Sequence, residues 1–259
     1  MTAPSQRGTV MRLGAAQTLA WAPSYYLPAM LAIPMARDLG LASSTVFVAF
    51  SAALIVSALL GPLAGRTIDR HGGRPVLVGT NLLFAASLVA MALAQGPVGL
   101  FAAWALMGVA MGSGLYEAAF AALVRLYGQG ARGAITGITL IAGFASTVGW
   151  PLSAWMELQW GWRGACLGWA ALHLLLGVPL NAWRPRRVNA TPTPTPTMPG
   201  PEPAAARTPA ATPPDAPHTL RTTVLLSFVF AVTMFISTAM ATHLPRLLHR
   251  NSLTLHFQP

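Results

Sequence analysis

The amino-acid sequence predicts an all-α polytopic membrane protein, a six-helix transmembrane bundle followed by a seventh transmembrane helix. Three observations carry this. Hydrophobic residues make up 54% of the 259-residue chain and charged residues only 8%, about a third of what a water-facing surface carries. Seven apolar segments are each long enough for a helical crossing, which takes ~20 residues. These runs are too long and too uniformly apolar for barrel strands, and lipid leaves helices as the alternative because every backbone polar group must be satisfied internally.

The segments are placed at 13–35, 44–63, 76–94, 98–124, 135–156, 164–183 and 222–243. Arg7 and Arg12 precede the first, which runs on too long for a cleavable signal peptide and is followed at once by another. Orientation follows from arginine placement. With the N-terminus in the cytoplasm, only Arg37, Arg163, Arg246 and Arg250 lie outside and every other arginine inside, as the positive-inside bias requires. Seven crossings then put the C-terminus in the periplasm of a cell whose inner membrane holds the chain.

The expected division is a cytoplasmic N-terminus at 1–12, the six-helix bundle at 13–187, a linker at 188–221, the seventh helix at 222–243 and a polar tail at 244–259. The linker turns to Pro, Thr and Ala, including "TPTPTPT". Such composition cannot bury a core and predicts an extended, largely disordered cytoplasmic connector.

Composition also excludes functions. The net charge of +10 comes from 16 basic residues, all arginine, scattered in short clusters; no basic stripe interleaves with aromatics, so no nucleic-acid partner is expected. The single cysteine, Cys166, permits neither an internal disulfide nor a cysteine metal site. No HExxH, GxSxG or Walker loop occurs. Asp69 beside His71 lacks a positioned nucleophile. No enzymatic activity, cofactor or metal is expected.

Between the second and third segments stands "GPLAGRTIDRHGGRPVL". Gly65 permits close approach of helix ends, and Gly72 or Gly73 a tight turn with positive φ. Asp69, Arg70 and Arg74 offer charge pairs at a membrane face. Gly65, Asp69, Arg70, Gly72 and Arg74 fill the places of the signature loop of the major facilitator superfamily (MFS), which this stretch closely resembles; Gly73 stands where that family usually has a basic residue, and Thr67 where it has an aliphatic one. "GWRGACLGWAALHLLLGVPLN" is similar to the start of the family's sixth helix, and "TLIAGFASTVGWPLSAW" resembles fifth helices of bacterial members. The resemblance covers about residues 10–245. It implies a secondary active transporter of a small solute, of which this chain supplies the N-terminal six-helix half and one helix more. It also implies that the signature loop acts as a conformational latch.

Glu117 lies well inside an apolar segment, and an intramembrane carboxylate is by default a functional candidate. It is expected to couple transport to a proton, to pair with Arg125 or a signature-loop arginine, or to line the cavity. Gly108, Gly112 and Gly114 resemble glycines of a second family motif; close helix packing explains them, and Gly108 stands where proton-coupled members carry arginine. Gly149, Trp150 and Pro151 stand near an antiporter Gly-Pro motif that Trp150 interrupts, with Pro151 expected to kink the helix. Gln17, Tyr25, Tyr26 and His173 are candidate cavity residues.

An N-terminal half leaves three readings: an incomplete chain of a gradient-driven transporter, a half-transporter that dimerises, and a non-transport membrane scaffold. The expected partners are therefore the lipid bilayer, an unknown small molecule, and a second half or second copy completing the bundle. A small organic anion is the first expectation for the solute and drug efflux the second.

Overall fold

A computed structural model of the chain describes residues 6–182 continuously and, within 221–240, Arg221, Val224, Leu225, Phe228, Val229, Val232, Thr233, Ile236, Ser237 and Met240. These later residues are helical and exposed, and Thr233 Oγ1 donates to the Val229 carbonyl one turn back at 2.8 Å. The expected linker, apart from Arg221, and the tail at 244–259 lie outside the described residues.

The described residues of the bundle are all-α. The first crossing is α1 (Gln6–Tyr25) and α2 (Leu27–Asp38), separated at Tyr26. The second is one long helix, α3 (Ser43–His71), and the third is α4 (Gly73–Leu93). The fourth comprises α5 (Pro97–Gly114) and α6 (Tyr116–Tyr127), parted by Leu115 in an extended conformation with φ −83° and ψ −160°. After a short 3₁₀ turn come α7 (Ala131–Ala142) and α8 (Ala145–Leu172), with a break at Gly143 and Phe144. Within α8 the dihedrals leave the helix at Gly161, where φ is +66°. The fifth crossing ends there and the sixth begins; it continues through a π turn, His173–Gly177, into α9 (Val178–Ala182). By length and hydropathy alone, Ser43–His71, Gly73–Leu93 and the stretch Pro97–Ala182 suffice to cross a membrane.

The reversal between the second and third crossings is tighter than a loop. Gly65, Asp69 and Arg70 sit on the last turns of α3, and Gly73 and Arg74 on the first turn of α4. Gly72 alone makes the turn at φ +89°, in a region that an L side chain rarely adopts. Arg70 and His71 in the last turn of α3 complement its dipole, which extends the helix past the apolar run. A Cβ at Gly65 would meet nothing within 4 Å in the described bundle, so that glycine marks no close approach there.

Packing is tightest where α3 meets α5. A Cβ on Gly108 would overlap the Ala53 carbonyl oxygen, and one on Gly112 would lie 2.6 Å from that of Ser57. Only hydrogen fits at these two places, and the helix backbones are in near contact. In lipid, such contact replaces the hydrophobic drive that is lost between apolar helices and apolar tails. Around this seam the core closes on Leu27, Leu31, Met35, Phe84, Trp104 and Trp169, each 1% exposed or less. Two polar contacts join crossings inside: Thr80 Oγ1 donates to the Ser113 carbonyl at 3.1 Å, and Trp169 Nε1 to Ser153 Oγ at 3.0 Å.

Prolines attend some interruptions and not others: Pro28 stands in the first turn of α2, just after the break at Tyr26. Pro23, Pro34, Pro62 and Pro151 all lie inside helices. The fifth crossing breaks at Gly143 and Phe144 rather than at Pro151, around which α8 keeps helical dihedrals. A proline removes one donor that the helix can spare when packing holds both sides.

Candidate functional site

Three of the interruptions gather one set of aromatic rings. Tyr25 and Tyr26 flank the break in the first crossing, Tyr116 follows the break at Leu115, and Trp150 stands early in α8 after the break at Phe144. Trp21 lies 5.0 Å from Tyr25 and 4.8 Å from Tyr116 between ring centroids. Tyr25 meets Phe50 of α3 edge-on at 5.6 Å, and Tyr26 meets Trp150 edge-on at 6.0 Å. Phe120 stacks on Tyr116 at 5.4 Å. The Ser146 side chain lies beside Tyr26. The edge-to-face contacts are the favoured arrangement for rings of opposed quadrupole.

This wall is half-buried rather than sealed: Trp21, Tyr25, Tyr26, Tyr116 and Trp150 are all of intermediate exposure. Yet the indole N–H groups of Trp21 and Trp150 are enclosed and meet no acceptor among the described residues. A buried donor without a partner costs about 1–3 kcal/mol. The wall therefore keeps hydrogen-bonding capacity in reserve.

The other intramembrane candidates belong to the interior. Gln17 is 2% exposed and its Nε2 donates to the Gly114 carbonyl at 2.8 Å. His173 is fully buried, with Nδ1 2.9 Å from Asn81 Oδ1 and its ring stacked on Phe84 at 4.9 Å. Both are buried in the packed interior, Gln17 one turn from Trp21 on α1, and Gln17 Oε1 and His173 Nε2 have no partner among the described residues. A Cβ on Gly114 would overlap the Thr80 methyl, and one on Gly149 would fall 2.9 Å from Ala22 Cβ.

Glu117 and Arg125 do not pair. Glu117 is exposed, in the first turn of α6 beside Tyr116. Arg125, near the other end of the same helix, turns to α3 instead. Its Nη1 donates to the Ile68 carbonyl at 2.7 Å and to the Asp69 carbonyl. Both are among the last carbonyls of α3 and lie at the negative end of its dipole; that of Ile68 also accepts the Gly72 N–H at 2.8 Å. Eight residues on one helix is too long a reach for side chains that meet at three or four, so the cation takes the acceptors across the helix interface.

At the opposite end, the signal that sequence reasoning missed is Asp38. Arg163 Nη2 donates to Asp38 Oδ2 at 2.9 Å, Arg163 Nε at 3.2 Å and Trp162 Nε1 at 3.2 Å. Arg163 also donates to the Ala92 carbonyl and lies 4.4 Å over the Trp162 ring. One acid thus ties the first crossing to the sixth, and the arginine ties both to the third. Gly161 at φ +66° aims Trp162 and Arg163 at the same oxygen; the sequence places "GWR" but not the carboxylate it meets.

Among the described residues, no group of three or more metal-ligating side chains occurs. A family model described as Major Facilitator Superfamily matches residues 13–256. The chain is 35% identical over 153 residues to an uncharacterized 38 kDa protein in the 23S RNA operon of Thermoproteus tenax, covering 59% of this chain and 40% of that one. It is 32% identical over 156 residues to the multidrug resistance protein MdtH of Cronobacter sakazakii, and 31% to that of Klebsiella pneumoniae subsp. pneumoniae. Each of these two matches covers 60% of this chain and 38% of the relative. The chain thus matches about two fifths of the length of these relatives.

Proposed function

Because this chain belongs to the Major Facilitator Superfamily and is an all-α, multi-pass membrane protein, we propose that it serves secondary active transport of a flat, largely apolar solute, neutral or cationic. The aromatic wall built where three crossings are interrupted carries this reading. Broken helices at depth in a membrane are tolerated where they line a cavity or are buried in protein, and half-exposed aromatic rings with a few polar groups are the usual lining of a ligand pocket.

The wall's chemistry favours such a solute over the small organic anion expected from net charge. The aromatic rings named above come with no arginine among them; the nearest ionisable neighbour in sequence is Glu117, next to Tyr116. Aromatic faces attract cations at up to ~6 Å. The multidrug resistance label of the MdtH relatives points the same way.

In this reading Arg125 on the end of α3, with Asp69, Arg70, Gly72 and Arg74 beside it, is the latch that opens and closes one end of the bundle. The N-terminus faces the cytoplasm of a cell bounded by an inner membrane, and the C-terminus faces the periplasm. The other wall of the cavity comes from a second half or a second copy, since transporters of this architecture rock two halves about a midplane site. Val48, Ile55, Leu59 and Leu63 along α3 are exposed and apolar, a face suited to lipid or to that partner.

The test is ligand binding by the full chain in detergent, read as quenching of tryptophan fluorescence by tetraphenylphosphonium and, separately, by benzoate. Saturable binding of the cation that weakens about tenfold or more in Trp21→Ala and Tyr116→Ala supports the site. Preference for benzoate, or binding indifferent to both substitutions, rejects it.

A further inference from the structure

A second cavity lies at the end of the bundle that carries the start of α1. It has a volume of about 60 Å3 and is bounded by the first, third, fourth and sixth crossings. Its polar lining is Thr9 and Arg12 from α1, Arg74 from α4 and Asn181 from α9. Thr9 and Asn181 are buried, at 6% and 9% exposure. The remaining wall is aliphatic, from Leu13, Leu77, Ala122, Leu126 and Leu180. None of the aromatic wall takes part, so this is a separate place.

The combination is selective. Two guanidinium groups from different helices bound one small space, and among the described residues no carboxylate contributes to its lining. A cavity with two cations and no acid calls for an anion. Guanidinium suits phosphate geometry, forming two parallel N–H···O bonds. The hydroxyl of Thr9 and the amide of Asn181 add neutral polar groups; the amide spends one donor on the Gly177 carbonyl at 3.1 Å and keeps a second. The first turn of α4, which holds Arg74, has no side-chain cap, so its end adds positive potential to the same rim.

The leucines decide which anion. A free inorganic ion gains nothing from an aliphatic wall, whereas a headgroup attached to acyl chains does. Arg12 opens the first crossing and Arg74 the third, a depth at which lipid headgroups lie. Basic pockets between transmembrane helices at this level suit anionic headgroups. We infer that the cavity bounded by Arg12, Arg74, Thr9 and Asn181 is a site for an anionic glycerophospholipid, with the phosphodiester between the two arginines and the glycerol end against Leu13, Leu77 and Leu180. The site belongs to the membrane that surrounds the protein and is independent of the solute carried.

The experiment is native mass spectrometry of the full chain released from detergent after titration with phosphatidylglycerol or with phosphatidylcholine of the same acyl chains. The expected result is at least tenfold tighter binding of phosphatidylglycerol. One interfacial arginine is worth about fivefold, so Arg12→Gln with Arg74→Gln should weaken it about 25-fold, while Arg132→Gln on α7 leaves it within twofold. Arg12→Lys with Arg74→Lys should retain most of it. Leu180→Trp, which keeps both arginines and adds bulk to the aliphatic lining, should weaken it at least fivefold and carries the test if the double substitution does not fold. Equal binding of the two lipids overturns the inference, as does full binding by the double glutamine variant or by Leu180→Trp. Glycerol 1-phosphate competing at the same concentration as phosphatidylglycerol would show that the cavity takes a free phosphate ester and would overturn the assignment to lipid.

Discussion

The seam between α3 and α5 and the aromatic wall across α1, α6 and α8 are both helix contacts in one bundle, built on opposite rules. At the seam, glycine is placed against backbone: Gly108 against Ala53 and Gly112 against Ser57, with no space for a methyl group. At the wall, large rings meet at 4.8 to 6.0 Å, stay half-exposed and leave two indole donors unpaired. The seam spends its residues on contact, which is what stabilises helices in a solvent as apolar as themselves. The wall leaves contact unfinished. A membrane protein that needs both a fixed frame and an adaptable surface obtains them by segregating small residues from aromatic ones.

The comparison breaks if the seam tolerates bulk. Gly108→Val pushes two methyl groups into a carbonyl oxygen that belongs to a helix backbone and cannot rotate away. We expect a loss of about 3 kcal/mol or more, seen as failure to recover monodisperse protein from membranes. Recovery at wild-type yield with an unchanged thermal midpoint would mean that the seam is not the frame.

Gly149→Ala tests the border between the two rules. Its new methyl would lie 2.9 Å from Ala22 Cβ, a side-chain contact that a small helix shift relieves. The expected cost is about 1–2 kcal/mol, read as a lowered thermal midpoint in detergent; a cost as large as that of Gly108→Val would erase the distinction between the regions.

Trp150→Phe removes an enclosed donor that has no partner. Lost ring area and relieved desolvation oppose each other, so stability should change by less than about 1 kcal/mol while affinity for a ligand on the wall falls severalfold. A large loss of stability with no change in binding would make Trp150 ordinary core. Ser146→Ala is the smallest step. It deletes a hydroxyl beside Tyr26; an interhelical hydrogen bond is worth about 0.6 kcal/mol in helical membrane proteins, and calorimetry in detergent should register no more than that.

Much of the frame is legible in the sequence because the solvent is uniform. Lipid demands long apolar helices, and the described bundle has them close to the segments that hydropathy marks; Gly72 turns the chain where its lack of a side chain permits φ +89°. The breaks are less legible. Pro151 invites a kink and Leu115 does not, yet the chain leaves the helix at Leu115 and passes through Pro151. Local propensity is overridden there by what each residue packs against. The same limit governs the site. Tyr25 and Tyr26 stand out as polar aromatics in an apolar run, but their neighbours Trp21, Tyr116 and Trp150 are separated by up to 129 positions along the chain (150 − 21). Trp21 and Tyr25 meet at the i,i+4 spacing of one helix, but nothing local pairs them with Tyr116 or Trp150, just as nothing near "GWR" announces Asp38. Arg125 shows a further reason: its acceptors are the backbone carbonyls of Ile68 and Asp69, and every residue type carries one of those.

The contact between Gly108 and Ala53 has a consequence for how this chain tolerates change over generations. Gly108 faces the backbone of Ala53 and Gly112 that of Ser57, and every residue type carries that backbone. No exchange at Ala53 or Ser57 therefore frees the space that a side chain on the facing glycine would need. The restriction falls on one member of each pair: a change at Ala53, 55 residues away (108 − 53), gives Gly108 no licence to grow.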